Sequence, residues 1–368
     1  MLPSIVGVLC HSQLLAMAKL LDIDTNSGRV CSGLSLFKKA QTCLELRQTR
    51  EACQLFSAAE NLGYHPDACA AGRWTCHMLR GEFESAWCES DEIARRGNPD
   101  PHRFWDGQPL QGKRVLLRCL HGLGDTLQFI RYAPAIRERA SRLTVEAQPA
   151  LKRLIVTSDL ADEVITWGEP EPRWDQQIEI MELPRIFRTT LRSIPNDVPY
   201  LKLRQAGLDP ARRGRTLRVG LVWYSSAYNR ARSLPFKALE PLLSIGGVEF
   251  FSFQAGEARA HVRDCGYEIL NLCNEDDLLA TAQGVIEMDL VITVDTMMAH
   301  LAGALGRKVW TLLPFEGDWR WMLERSDSPW YPTMRLFRQP TPGDWATAVS
   351  RIRAEIATEL EAVQVPAT

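Results

Sequence analysis

Arg114-Val-Leu-Leu-Arg-Cys-Leu-His-Gly-Leu-Gly-Asp-Thr126 decides how this chain folds. It opens as a short apolar strand, turns on two glycines, and enters a helix expected over about 125–139. The same grammar returns in Leu290-Val-Ile-Thr-Val-Asp-Thr-Met-Met-Ala-His-Leu-Ala-Gly303, where a strand over 290–294 delivers Asp295 and Thr296 to a helix over 300–305. Around these two stretches, strands are expected at 143–146, 163–167, 177–180, 217–223, 248–253 and 308–313. Helices are expected at about 235–244, 275–286 and 344–360. Strands alternating with helices predict parallel sheets covered on both faces. The fold class read from this pattern is α/β: two doubly wound units in tandem, with a basic Pro/Gly stretch at 204–215 as the hinge. The default active site is then a cleft between them.

Upstream, residues 34–97 carry helical periodicity. Leu34, Phe37, Ala40, Leu44, Ala52, Leu55, Phe56, Ala59 and Leu62 recur at helix spacing up to Gly63-Tyr64-His65-Pro66. A second segment holds Ala70, Trp74, His77 and Met78 before Gly81. A third holds Phe83, Ala86, Trp87 and Ile93, and ends near Gly97. Such helix–turn–helix units resemble tetratricopeptide repeats, whose period is about 34 residues. Three clean copies are not found, so the array is degenerate or truncated, and it suits packing or a protein partner. The expected domains are a helical region at 1–98, a linker at 99–112, and α/β halves at 113–205 and 206–368.

Bulk properties narrow the function classes. The chain has 368 residues, 45% hydrophobic and 24% charged, which fits a globular protein with sizeable cores. A formal charge of −2 gives no global field for nucleic acid or an anionic membrane. The apolar runs 5–9 and 14–21 are split by His11, Ser12 and Gln13, and no stretch reaches the roughly 18 residues of a membrane span. Of ten cysteines, seven precede residue 90, none forms a Cys-x-x-Cys pair, and no Cys/His grouping has zinc spacing. We therefore expect buried free thiols, a cytoplasmic protein and no transmembrane segment.

Four turns can carry chemistry. In His121-Gly-Leu-Gly-Asp125 the glycines allow close approach, and Asp125 either caps the helix or takes a proton from an attacking hydroxyl. The turn lacks the third glycine of a dinucleotide fingerprint, because position 127 is Leu. In Asp295-Thr-Met-Met-Ala-His300 the amides, the Thr296 hydroxyl and His300 suit a diphosphate, or the pair simply caps the helix. The loop Trp223-Tyr-Ser-Ser-Ala-Tyr-Asn-Arg-Ala-Arg-Ser233 offers Arg230 and Arg232 to phosphate oxygens, or is a solvated basic loop. Gln254-Ala-Gly-Glu257 ends a strand on the same rim, as a ribose or base contact or as an ordinary turn. The Trp-rich segment from Asp318 to Pro332 either stacks on a sugar or pins a loop to the core.

Taken in order, these segments resemble the heptosyltransferase-like glycosyltransferases of family nine, in the branch carrying tetratricopeptide repeats. The resemblance runs from Phe104-Trp-Asp-Gly-Gln-Pro-Leu-Gln-Gly-Lys113 to Gly343-Asp-Trp345. It rests on His-Gly-Leu-Gly-Asp-Thr-Leu-Gln-Phe-Ile-Arg-Tyr from His121, Arg232-Ser233, Val294-Asp-Thr, His300-Leu-Ala-Gly and Asp318-Trp-Arg-Trp. It implies a GT-B architecture of two Rossmann-like domains, with a final helix crossing back to the first. It also implies inverting, metal-independent transfer from a nucleotide-diphosphate sugar, with no other cofactor. Asp125 would be the general base, with His121, Gly122, Gly124 and Gln128 on the acceptor side. Arg232, Ser233, Gln254, Asp295, Thr296, Met297, Met298 and His300 would hold the donor. The acceptor would be a glycan, a lipid-linked glycan or a protein.

Three positions depart from that pattern. Met297 stands where a small Gly is usual, His121 replaces a Gln, and Tyr224-Ser-Ser-Ala-Tyr-Asn229 replaces a Gly-Asn-Pro loop. Two rivals follow: a catalytically degenerate nucleotide-binding scaffold, and a nucleotide-sugar epimerase on the same architecture.

Overall fold

The computed structural model describes residues 28–203, 216–225, 227–263 and 265–364. The expected hinge at 204–215 and the apolar runs 5–9 and 14–21 lie outside the described residues. Among the described residues four helices come first: α1 (Gly28–Glu45), α2 (Thr49–Asn61), α3 (Pro66–Arg80) and α4 (Phe83–Gly97). The first α/β stretch holds β1 (Arg114–Arg118), α5 (Leu123–Phe129), α6 (Ala133–Arg137), β2 (Arg142–Ala147), α7 (Lys152–Thr157), β3 (Glu163–Thr166), β4 (Gln176–Glu179) and α8 (Leu183–Ile186). The second holds β5 (Leu217–Val222), α9 (Glu240–Leu243), β6 (Val248–Ser252), β7 (Leu270–Asn271) and α10 (Leu278–Ile286). It continues with β8 (Leu290–Val294), α11 (Met297–Ala304), β9 (Val309–Leu313), β10 (Met334–Arg338) and α12 (Trp345–Gln364). Among the described residues no helix is long and apolar enough to cross a membrane.

The chain divides into two compact units. One contains Met1–Leu110 together with Trp174–Ile194 and Glu316–Arg325. Two stretches that sequence rhythm assigns to the α/β halves thus fold with the helices. Trp87 donates its indole N–H to the Thr189 carbonyl at 2.7 Å, and Arg185 reaches Asp91 at 3.0 Å. Trp74 meets Trp319 edge-on at 5.4 Å, and the Leu323 amide donates to the Leu79 carbonyl at 3.2 Å. The Asp-Trp-Arg-Trp segment is therefore a pinned loop: Trp319 and Trp321 are buried, and Asp318 accepts from the backbone and side chain of Arg320.

Within the helices a period of 34 residues is visible in the backbone. Arg47 and Gly81, 34 apart, both take left-handed φ (61° and 76°), and α2 and α4 begin two residues later, at Thr49 and Phe83. Ala52 and Ala86 hold equivalent places and are both fully buried. The long apolar run at 34–62 is two helices, because Arg47 turns the chain where α-helical φ would have continued it. Arg73 on α3 ties the array together by pairing with Glu60 of α2 and Glu89 of α4.

The other unit comprises Gln111–Arg173, Pro195–Phe315 and Ser326–Thr368. It holds β1, β2 and β3, parallel and in spatial order β3-β2-β1, and a six-stranded sheet ordered β10-β9-β8-β5-β6-β7. All neighbours in the second sheet are parallel. Counted from β5, that is the 3-2-1-4-5-6 arrangement of a dinucleotide-binding sheet, whose crevice opens where the order reverses, between β5 and β8. β8 and β9 are buried at every residue, which is why each reads as an unbroken apolar run. Their core includes Trp223, Leu234, Trp310, Leu312 and Phe337, each worth roughly 1.5–3 kcal/mol when fully buried.

α12 seals that same sheet with Ala348, Val349, Ile352 and Ile356, so the packing that buries it is on its own half, where the resemblance implies a return to the first. The helix expected at 125–139 is α5, a 3-10 turn at Ile130–Tyr132, and α6; Pro134 supplies no N–H, which interrupts the ladder. α11 begins at Met297 rather than 300, because Thr296 caps it. The cysteines among the described residues are all free; Cys43, Cys69, Cys76 and Cys119 are buried as expected, while Cys31 and Cys88 are exposed.

Candidate active site at two facing turns

β1 runs out at Arg118, and the chain reverses through Gly122 into α5. Asp125, in the first turn of α5, accepts the Gly122 N–H at 3.0 Å, so its carboxylate caps the helix it sits on. Gln148, just past β2, fastens the turn from behind. Its amide donates to the His121 carbonyl at 2.8 Å, and its oxygen accepts the Thr126 hydroxyl at 3.0 Å. Gln148 is buried and was not among the residues singled out by sequence. Gln128, in contrast, is wholly buried in α5 and presents no surface to an acceptor.

The second turn follows β8. Thr296 accepts the Met298 amide at 3.3 Å and opens α11, whose first amides face the sheet's C-terminal edge. Asp295, almost fully buried, lies 3.4 Å from the Arg232 guanidinium. Arg232 comes from the loop after β5 and Asp295 from the end of β8, so the pair spans the reversal point of the strand order. A carboxylate there repels a phosphate and orients the arginine. Arg232, about a quarter exposed, is the member able to meet an anion.

Two expected donor contacts are occupied within the protein. The Gln254 side-chain oxygen accepts the Trp223 and Tyr224 amides at 3.1 and 2.9 Å. Its nitrogen donates to the Tyr224 and Ala255 carbonyls, which uses all four of its hydrogen-bonding positions to shape the loop after β5. The Ser233 hydroxyl accepts the Ser225 amide at 3.1 Å. Met298 is buried, leaving Met297, half-buried, at the mouth of the turn.

The two turns touch. A Cβ on Gly124 would stand 2.9 Å from His300 Cδ2 and 3.5 Å from the Met297 Cα, so only glycine lets α5 and α11 approach this closely. Behind the contact lies a buried polar chain. His300 Nδ1 is 2.9 Å from the Tyr331 hydroxyl, which is 3.5 Å from that of Tyr200. Tyr200 donates to the Leu127 carbonyl at 2.8 Å and accepts from Arg131 at 3.0 Å. Arg131 also donates to the Gln128, Trp330 and Pro195 carbonyls, and its guanidinium lies over the Tyr200, Tyr331 and Trp330 rings at 4.7, 4.6 and 5.5 Å. Burial pushes the Tyr331 hydroxyl well above its ordinary range and Tyr200 upward too, so both keep their protons. Arg131 and Tyr331 stand inside the quoted motifs, but their roles depend on partners far away in sequence. Among the described residues, no three His, Cys, Asp or Glu side chains gather as a metal-ligand group.

Residues 237–314 match the model of glycosyltransferase family 9 (heptosyltransferase), a stretch that includes Asp295–His300 but neither Asp125 nor Arg232. The chain is 28% identical over 327 residues to protein FlbA of Caulobacter vibrioides, covering 76% of this chain and 53% of that protein. It thus spans about half the length of that curated relative. Among solved structures, a family 9 glycosyl transferase from Veillonella parvula superposes with a TM-score of 0.51 at 11% identity, over 71% of this chain and 99% of that one. The E. coli ADP-heptose LPS heptosyltransferase II gives 0.49 at 14% identity, over 68% and 100%. Residues 237–314 thus carry a stretch like glycosyltransferase family 9 (heptosyltransferase), set in a fold like that of the Veillonella parvula protein.

Proposed function

We propose that this protein is an inverting glycosyltransferase that moves a sugar from a nucleoside diphosphate to an acceptor hydroxyl. The observation that carries the reading is the contact between the two turns. It brings Gly124, next to Asp125, against Met297 and His300 in the first turn of α11, while Arg232 pairs with Asp295 at the reversal point of a dinucleotide-type sheet. In this account the acceptor oxygen attacks the anomeric carbon while Asp125 takes its proton, and the bond from that carbon to the phosphate oxygen breaks. Arg232, the Thr296 hydroxyl and the α11 amides receive the charge on the leaving diphosphate. No metal is assigned a role. Met297 at the mouth of the seat, where the resemblance implies a small Gly, narrows donor choice.

The 34-residue period supports a tetratricopeptide-like reading of α1–α4, hence a protein partner or protein acceptor on those helices, beside a glycan or lipid-linked alternative. Free cysteines in that array suit a reducing, cytoplasmic setting.

A second reading has one observation in its favour: Asp125 is already engaged as a cap. On that reading the nucleotide seat is kept without turnover, as a binding scaffold. Asp125→Ala separates the two. General-base help contributes about 10²–10⁴-fold, so the variant should lose at least about 100-fold in donor hydrolysis or transfer while still binding donor. Equal turnover in wild type and variant overturns the base assignment, and none in either favours the scaffold.

A further inference from the structure

We infer that Tyr331 is a positioning residue that holds His300 as a neutral imidazole protonated on Nε2, with that edge turned to the place where the two turns meet. The inference rests on the donor seat proposed above.

Hydrogen-bond economy selects the tautomer. Tyr200 has one proton, and its nearest acceptor is the Leu127 carbonyl at 2.8 Å; its oxygen is meanwhile taken by Arg131 at 3.0 Å. Tyr331 also has one proton, and His300 Nδ1 lies in reach at 2.9 Å; the 3.5 Å contact with Tyr200 has the Tyr200 hydroxyl as donor. The shorter bond gives the proton to Nδ1 and leaves the histidine's own proton on Nε2. The opposite assignment, with Nδ1–H donating, would take the Tyr331 proton's 2.9 Å acceptor away inside a buried site, where an unmade bond is costly.

Arg131 adds a second constraint. Four oxygens without formal charge, three carbonyls and one hydroxyl, surround this buried cation, and its guanidinium lies 4.6 Å from the centre of the Tyr331 ring. Packed on that ring face, the guanidinium helps hold the Tyr331 hydroxyl toward His300. The ring itself cannot drift. Gly303, three residues along α11 from His300, lies flat against Tyr331, where a Cβ would come within 2.5 Å of the ring. The Cδ2–Nε2 edge of His300 consequently faces Gly124, the glycine between the acceptor-side turn and Asp125. A neutral Nε2–H there can donate to a phosphate oxygen as charge develops, with its orientation set before donor arrives.

The test uses full-length protein labelled with 15N-histidine and observed by two-bond nitrogen–proton correlation at neutral pH. Seven histidines are present, and His300→Gln assigns the resonance. Wild type should show the neutral Nε2-protonated pattern, and Tyr331→Phe should convert it to a tautomer mixture or an imidazolium. Tyr200→Phe, which leaves the Tyr331 bond in place, should keep it. An Nδ1-protonated or cationic His300 in wild type, or an unchanged pattern in Tyr331→Phe, overturns the inference. Should Tyr331→Phe fail to fold, the wild-type tautomer and Tyr200→Phe decide it. In donor turnover, Tyr331→Phe should lower kcat about tenfold, the equivalent of one hydrogen bond, with donor KM within about twofold; a change confined to KM contradicts positioning. Absence of turnover in wild type would count against glycosyl transfer and leave the tautomer result standing.

Discussion

At the scale of single residues, environment separates groups that composition treats alike. Cys69 and Cys76 are pushed up to about 12 by burial. Cys53 on the neighbouring helix is lowered, since His77 and Arg80 outweigh its desolvation: His77 Nε2 lies 3.9 Å from the thiol, and its Nδ1 lies 2.7 Å from Glu82. Iodoacetamide at neutral pH should label Cys53 well before Cys69 or Cys76, read by peptide mass spectrometry; equal rates would contradict this. Glu182 carries a pH signature. Burial pushes it up to about 7 from 4.5, despite Arg185 at 2.8 Å. Between those values the folded chain holds a proton that the unfolded chain has released, so stability from this group falls as pH rises across the window. Denaturation midpoints at pH 5 and 7 should differ less in Glu182→Gln than in wild type, and an identical difference would show that Glu182 does not set the slope. Asp125, Asp295, Thr296, His300 and Arg232 can be singled out as candidates from sequence because each sits in a local turn. Gln148, Tyr200 and Tyr331 cannot, because each acts on a partner brought near only by the sheets.

At the scale of elements, the strands that sequence reads best are those buried on both faces. Leu290–Val294 and Val309–Leu313 announce themselves as apolar runs. The two-residue β7 carries no pattern, and β10 hides its own behind Arg335 and Arg338. Helices start where a cap dictates, as Thr296 does for α11, which apolar spacing alone places three residues late. One of the tight joints is α11 against Tyr331. Gly303→Ala would bring a Cβ to 2.5 Å from the ring, and overpacking of this kind costs about 1–3 kcal/mol. Its thermal midpoint should fall accordingly, whereas an unchanged midpoint would mean that the ring has room to move. The same substitution should disturb the His300 tautomer, because the ring carries the hydroxyl that sets it.

At the scale of the whole molecule, sequence rhythm separates helices from α/β halves at a linker, while the fold returns two later stretches to the helical unit. Rhythm cannot show this, since Trp174–Ile194 and Glu316–Arg325 are recruited by buried tryptophans rather than by their place in the chain. In the other unit, the proposed seat of a nucleoside diphosphate is the β5/β8 reversal, on Arg232 and the start of α11. Thermal unfolding against ADP-, GDP-, UDP- and CMP-linked sugars tests it most directly. One of them, at 100 times its dissociation constant, should stabilise wild type and Asp125→Ala by about 2.7 kcal/mol. Arg232→Ala should lose most of that gain. Stabilisation by none of the four, or a gain that survives intact in Arg232→Ala, would contradict the account.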